Sequence, residues 1–426
     1  MDRLKVVALL AVVVPVGLVA VVGCGPASMP SARRDSGSAV ARASTATPTP
    51  TATGTQKPSR VEVTAGPTMA SERTGYTATE LADGRILLTG GYLGRGGTTP
   101  CGNGVCLVPS TATAEIYDPR TRTFSPTGSM NQPRVGHAAA PLHDGRVLVV
   151  GGMYDAGGIP VGTAEIYDPA TARFRDLGAL HQDTSGDEPS QFSLEPSTAS
   201  LLTVLDSQTL TVLADGRVLI VGGEHGAGGA TSKAVTMFDP TTNRFTNLPG
   251  MPVAWANPAA SRLADGRVLV TAGQNGPDGF TKEALLFDPT TNAFTLAGST
   301  VVGREGTTQT SLQDGRVLIV NGSNCGDEIP GETYNPATGR FSVAAGSTSS
   351  PVTPLLIPDG RVLLLGSANG ACHLVGQVAA YDPDSGTVSI LASDALPNAS
   401  IDGAFVLDDG SALVLTDEGV SFLTLE

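Results

Sequence analysis

Short, almost wholly apolar runs recur along this chain, and each follows the same kind of polar turn. They read ILLT from Ile86, VLVV from Val147, VLIV from Val218, VLVT from Val268, VLIV from Val317, VLLL from Val362 and ALVL from Ala412. The turn before each run has an aspartate followed by glycine, at Asp83, Asp144, Asp215, Asp265, Asp314, Asp359 and Asp409. Asp-Gly between two apolar stretches signals a hairpin, because glycine accepts the positive φ of a tight turn. Runs with no polar face predict strands covered on both sides by neighbouring sheets.

A second marker follows each of the first six turns. It is an aromatic residue before Asp-Pro or Asn-Pro, at Tyr117, Tyr167, Phe238, Phe287, Tyr334 and Tyr381. Seven residues beyond each stands Phe124, Phe174, Phe245, Phe294, Phe341 or, more weakly, Val388. Asp-Pro-x-Thr suits the connecting turn, since proline presets φ and the Asp carboxylate bonds its own backbone. Each unit therefore predicts four strands, one before the Asp-Gly turn, one after it, one ending in the aromatic, and one carrying the Phe.

Four strands at a period of about 45–50 residues is the pattern of a propeller blade. The stretch from Arg134 to Phe174, with its Arg, His137, DGRVLVVGG and AEIYDP, resembles kelch repeats of the galactose-oxidase-like superfamily. The resemblance covers about residues 60–426; the glycine pair decays after Gly222–Gly223, and the outer-strand Trp of the family is replaced by the spaced Phe. It implies an all-β fold, a seven-bladed β-propeller of four-stranded kelch-like blades. The seventh unit ends in VSFLTLE, which offers a third strand and no fourth. Counting back from Asp83 by the Phe spacing lands on Val63, so an N-terminal strand is expected to complete the last blade. That closure removes the free sheet edge.

Composition narrows the function. Aromatics make up 4% of the chain, so Val, Leu, Ala and Ile must build the core. A net charge of −14 argues against nucleic acid as partner, because nothing would neutralise phosphates. Six arginines already belong to the Asp-Gly-Arg turns.

The N-terminus reads as a targeting device. Arg3 and Lys5 precede an apolar run from Val6 to Val22, and Gly23 stands before Cys24. Residues 1–23 are expected to be a secretory signal. The small residue before Cys24 resembles the lipobox of bacterial lipoproteins, with Val where Leu is commoner. That resemblance implies lipid attachment at Cys24 and a place at the cell envelope, outside the cytoplasm, held to the membrane by the anchor. An uncleaved membrane anchor is the alternative. Residues 24–59 are rich in Ser, Thr, Ala and Pro, and read as an extended, disordered tether before the propeller at 60–426.

Outside the cytoplasm, the remaining cysteines suit structural disulfides, Cys101 with Cys106 and Cys325 with Cys372. No histidine shares a zinc-site spacing with them. His181, among Asp183, Asp187 and Glu188, reads as part of a solvated loop ahead of a metal site. His137 falls on a repeat position that Tyr76 fills one unit earlier, which points to a structural role.

The family resemblance raises copper-radical oxidation, which needs a tyrosine followed directly by histidine and a tyrosine cross-linked to cysteine. No Tyr-His pair occurs, so neither that cofactor nor any other is expected, and no catalytic or metal-ligating set stands out.

Two insertions, near residues 93–110 and between Phe174 and Asp215, are expected on one face. Ten residues past the turn aspartates, where the second strand meets that face, stand Leu93, Tyr154, His225, Asn275, Asn324, Asn369 and Gly419. The polar members, Tyr154 to Asn369, form the candidate ligand ring, suited to a neutral polar ligand such as a glycan. Turn service explains the asparagines equally well and explains Tyr154 and His225 poorly. Glu224, Asp278, Asp327 and Glu328 lie near enough in sequence to offer Ca²⁺ ligands as a lesser alternative. The expectation is a binding module for a protein or glycan. A carbohydrate-active enzyme on the same scaffold and a docking scaffold are the alternatives.

Overall fold

The computed structural model describes residues 60–426, except 95–97, 102–103, 108, 155–160, 180–201, 226–229, 256–257, 272, 274–279, 305, 322–329, 348–351, 367–375, 397–400 and 417–418. The expected signal, Cys24 and the expected tether therefore lie outside the described residues, as do His181 and the core of the second insertion. Among the described residues every regular element is a strand.

Seven antiparallel sheets of four strands form seven blades, and that of blade three carries a fifth, short strand, Ala230–Thr231, paired with its second. Blade two pairs Ala138–Pro141, Val147–Val150, Thr163–Asp168 and Arg173–Ala179 in chain order. Blades one and three to six repeat that order. Their first strands are Thr77–Glu80, Leu202–Val212, Ala259–Arg262, Thr307–Ser311 and Val352–Leu356. Blade seven takes Ile401–Val406, Ala412–Thr416 and Gly419–Leu425 from the C-terminus and its outer strand, Val61–Ala65, from the N-terminal side. Val63 lies opposite Leu423, so the expected three-plus-one closure is present. The first strand of each blade touches that of the next, and blade seven touches blade one, which closes a ring around a channel.

The second strands are buried along their length, for instance Val147 to Val150 at 0% exposure, because each is covered by the blades on both sides. The core accordingly divides into clusters at the blade-to-blade joints, with two at the joint between blades one and two. Leu148 of blade two packs with Ile220 and Phe238 of blade three. Tyr117 of blade one packs with Leu413 and Phe422 of blade seven. The spaced aromatics meet across the outer hairpin. Tyr167 lies opposite Phe174 with ring centroids 4.7 Å apart, and four other blades repeat the tilted pair. A contact of this kind adds roughly 0.5–1.5 kcal/mol beyond area burial.

The turns define the two faces. In the Asp-Gly turn of blade two, Leu142 N–H donates to Arg146 O at 2.7 Å and Gly145 N–H donates to Leu142 O at 2.9 Å. Gly145 has φ 86° while Asp144 stays at negative φ, so the loop is a three-residue type I turn closed by glycine. The Asp144 carboxylate accepts from Arg146 N–H and from its guanidinium. Arg146 then reaches the next blade's turn, donating to Pro240 O at 2.7 Å and Asn243 Oδ1 at 2.9 Å. Arg217 and Arg316 make the same step, to Pro289 O and Pro383 O. Both turn families therefore share one face. The second-to-third connections and the blade-to-blade connections occupy the other, hereafter the loop face.

The first insertion contains a hairpin, Thr98–Cys101 with Gly104–Leu107. Its register sets Cys101 opposite Gly104 and Cys106 opposite Thr99. Cys325 and Cys372 lie outside the described residues.

Candidate functional site

The loop face rests on buried ion pairs that begin ten residues before a turn aspartate. Arg134, wholly buried, donates through Nη1 to Gly151 O and Thr163 O, both at 2.8 Å. Through Nη2 it reaches Thr163 Oγ1 at 2.8 Å and Glu165 Oε1 at 3.1 Å. Glu165 in turn accepts from the N–H groups of Asn131 at 2.7 Å and Gln132 at 3.1 Å. Burial pulls the Arg134 guanidinium below its usual range, and the charge of Glu165 opposes that pull.

The same clasp joins Arg73 to Glu115 at 2.7 Å in blade one and Arg304 to Glu332 in blade five. Each arginine also bonds the backbone carbonyl at the loop-face end of its second strand, at Gly90, Gly151 and Asn321. The clasps thus fix where the second strands stop and the loop-face connections start.

Sequence reasoning missed this network, although a signal was present. Arginine ten residues before the turn aspartate and glutamate two before the aromatic occur together in blades one, two and five. In blade four the equivalent pair is Trp255 and Leu285, both fully buried in one apolar cluster.

His137 is a structural residue. It is 5% exposed, its Nε2 lies 2.7 Å from Thr89 Oγ1, and its carbonyl accepts the Thr77 hydroxyl at 2.6 Å. Burial, with a smaller contribution from Arg134, lowers its pKa to about 3. Two glycines of strand ends leave room for the ring: a Cβ on Gly90 would come within 2.9 Å of His137 Cε1, and one on Gly152 within 2.9 Å of its Cβ.

Of the candidate ring, Tyr154 is fully described. It follows an isolated bridge between Val135 and Met153, and its carbonyl accepts the Ser110 hydroxyl of blade one. The side chain is 50% exposed, and Leu93 at the same repeat position of blade one is 41% exposed. The other six tyrosines are buried at 5% or less. His225 ends the strand Val218–His225, its backbone paired with Leu202 and Ala230. Asn275, Asn324 and Asn369 lie outside the described residues, as do Asp278, Asp327 and Glu328. Gly419 departs from the expected ring position. It opens the third strand of blade seven opposite Thr416, across a tight connection.

Among the described residues no group of three or more His, Cys, Asp and Glu side chains is placed to hold a metal ion. The tyrosines fit a copper-radical centre no better. Tyr117, Tyr167, Tyr334 and Tyr381 pack inside blades opposite Phe or Val partners, and no tyrosine precedes a histidine.

Comparison with known proteins agrees on the repeat. Residues 134–180 match the Kelch motif. No curated protein matches the chain. A solved structure described as a novel fungal alcohol oxidase with catalytic diversity among the AA5 family, in complex with copper, is similar at 18% identity and a TM-score of 0.49. That match covers 68% of this chain and 58% of the oxidase. The structure of YjhT is similar at 15% identity and a TM-score of 0.45, over 64% of this chain and 83% of that one.

Proposed function

We propose that this kelch propeller is a cell-envelope binding module that recognises a protein or a glycan on its loop face. The exposed ring of Tyr154 carries the reading. A half-exposed tyrosine beside a fixed backbone is a common anchor for sugars and for protein partners, since it offers a large apolar face and a hydroxyl. Its contrast with six buried tyrosines sets it apart from the packing demands of the repeat. His225, Asn275, Asn324 and Asn369 share its repeat position and supply the polar part of the site. Long connections on a rigid scaffold are where such folds place recognition. The signal at 1–23, lipidation at Cys24 and the tether at 24–59 would hold the module outside the cytoplasm at a membrane.

Titration of the full chain against an array of envelope glycans, with product analysis of every hit, tests the reading. Binding without turnover supports it. Turnover of a bound sugar would replace it with the carbohydrate-active enzyme.

A further inference from the structure

We propose that the turn face holds a second binding site, a cleft that takes a carboxylate-bearing ligand through Arg262. The cleft, of about 410 Å³, lies between the turns of blades three, four and five, with Ala214, Arg262, Leu263, Ser311 and Gln313 in its wall. It is on the opposite face from the loop-face site and stands independently of it.

Arg262 and Ser311 occupy one repeat position, three residues before their turn aspartates Asp265 and Asp314. Each ends the first strand of its blade, so the two side chains leave adjacent strands at the same level of the channel mouth. Both are exposed. Among the described residues, neither the guanidinium of Arg262 nor the hydroxyl of Ser311 has a hydrogen-bond or ion-pair partner.

Every turn arginine nearby is committed elsewhere. Arg267 is 2.6 Å from Asp265, Arg316 is 2.6 Å from Asp314, and Arg217 is 2.8 Å from Asp215. Those pairs cancel, and among the described residues Arg262 is the one charged side chain lining the cleft. An otherwise acidic protein therefore presents an uncompensated cation in a concave site.

The chemistry selects an anion with two acceptor oxygens. A guanidinium offers a planar fork of N–H donors that matches a carboxylate, and the Ser311 hydroxyl supplies a further donor beside it. Leu263 and Leu312, each 4% exposed, give the cleft an apolar floor for the carbon body of the ligand. Gln313 is held by its own bond to Pro358 O at 3.2 Å, which fixes the wall towards blade six. The volume accommodates a small solute or the last residues of a peptide.

The test is calorimetric titration of the full chain with two matched pairs at millimolar concentration. One pair is glucuronate and glucose; the other is N-acetyl-dialanine and its C-terminal amide. At least one carboxylate should bind while its neutral counterpart does not, and the one that binds identifies a sugar acid or a peptide terminus as the source. Arg262→Ala should weaken that binding by about 10- to 100-fold with unchanged melting temperature, and Arg262→Lys should restore part of it. Silence from both carboxylates, equal binding of a neutral counterpart, or full binding by Arg262→Ala would each overturn the site. None of these outcomes bears on the loop face.

Discussion

Arg134 and Glu165 face each other 3.1 Å apart with side chains at most 1% exposed. Two charges are thus kept from water inside blade two, and each is bonded to backbone groups as well as to its partner. Removing one leaves the other buried and uncompensated, the costly case for such pairs. Arg134→Ala or Glu165→Ala should therefore destabilise the propeller by about 3–5 kcal/mol in urea unfolding. The combined replacement Arg134→Met with Glu165→Leu should recover most of that loss, because blade four already fills these positions with Trp255 and Leu285. A single variant losing less than about 1 kcal/mol would show that the clasp is solvated.

His137 makes a prediction about acid. Its folded pKa of about 3 lies below the ordinary histidine value of 6.5, so between those values the unfolded chain binds the extra proton. Stability from this group is complete above the upper value and falls as pH drops towards the lower one, by up to about 1.4 kcal/mol per pH unit. His137→Gln, which carries the residue of the equivalent Gln208 in blade three, should flatten the stability profile between pH 6 and 4 relative to the parent. An unchanged slope would mean that the carboxylates alone set the acid response.

Closure of the ring depends on one short strand. Val61–Ala65 pairs with Gly419–Leu425, and Arg60 and Glu426 exchange backbone hydrogen bonds at 3.1 and 2.9 Å. Deleting Arg60 to Thr64 exposes the edge of blade seven and uncovers its core, so the whole domain should melt at a lower temperature. Melting unchanged from the parent would contradict the role of this strand.

The fold was legible because a propeller repeats its constraints. Spacing alone places Val63, and the seven-residue offset that marks each unit proves to be the register that sets Tyr against Phe across the hairpin. Glu165 was not read as the partner of Arg134. A lone acid inside an apolar strand looks like a departure from pattern until its cation, in a different loop, is brought beside it. The ligand ring was harder for another reason. A shared repeat position does not fix where a side chain ends up, because the local connection decides it, as Gly419 shows by sitting across a tight connection from Thr416.

The cysteines offer a chemical check on the compartment. If Cys101 pairs with Cys106 and Cys325 with Cys372, thiol titration of the unfolded, non-reduced chain should find none of these four free. Four reactive thiols without reductant would contradict both the pairing and the oxidising compartment it requires.

Recognition on the loop face stands or falls on a single comparison. The combined replacement of His225, Asn275 and Asn324 by Ala is compared with the parent chain for affinity to the ligand found on the array, and for melting temperature. Binding should be abolished while the melting temperature stays nearly unchanged, because these residues are proposed to serve the ligand and not the core. Retained binding together with a lowered melting temperature would contradict it, and would return these side chains to the service of their turns.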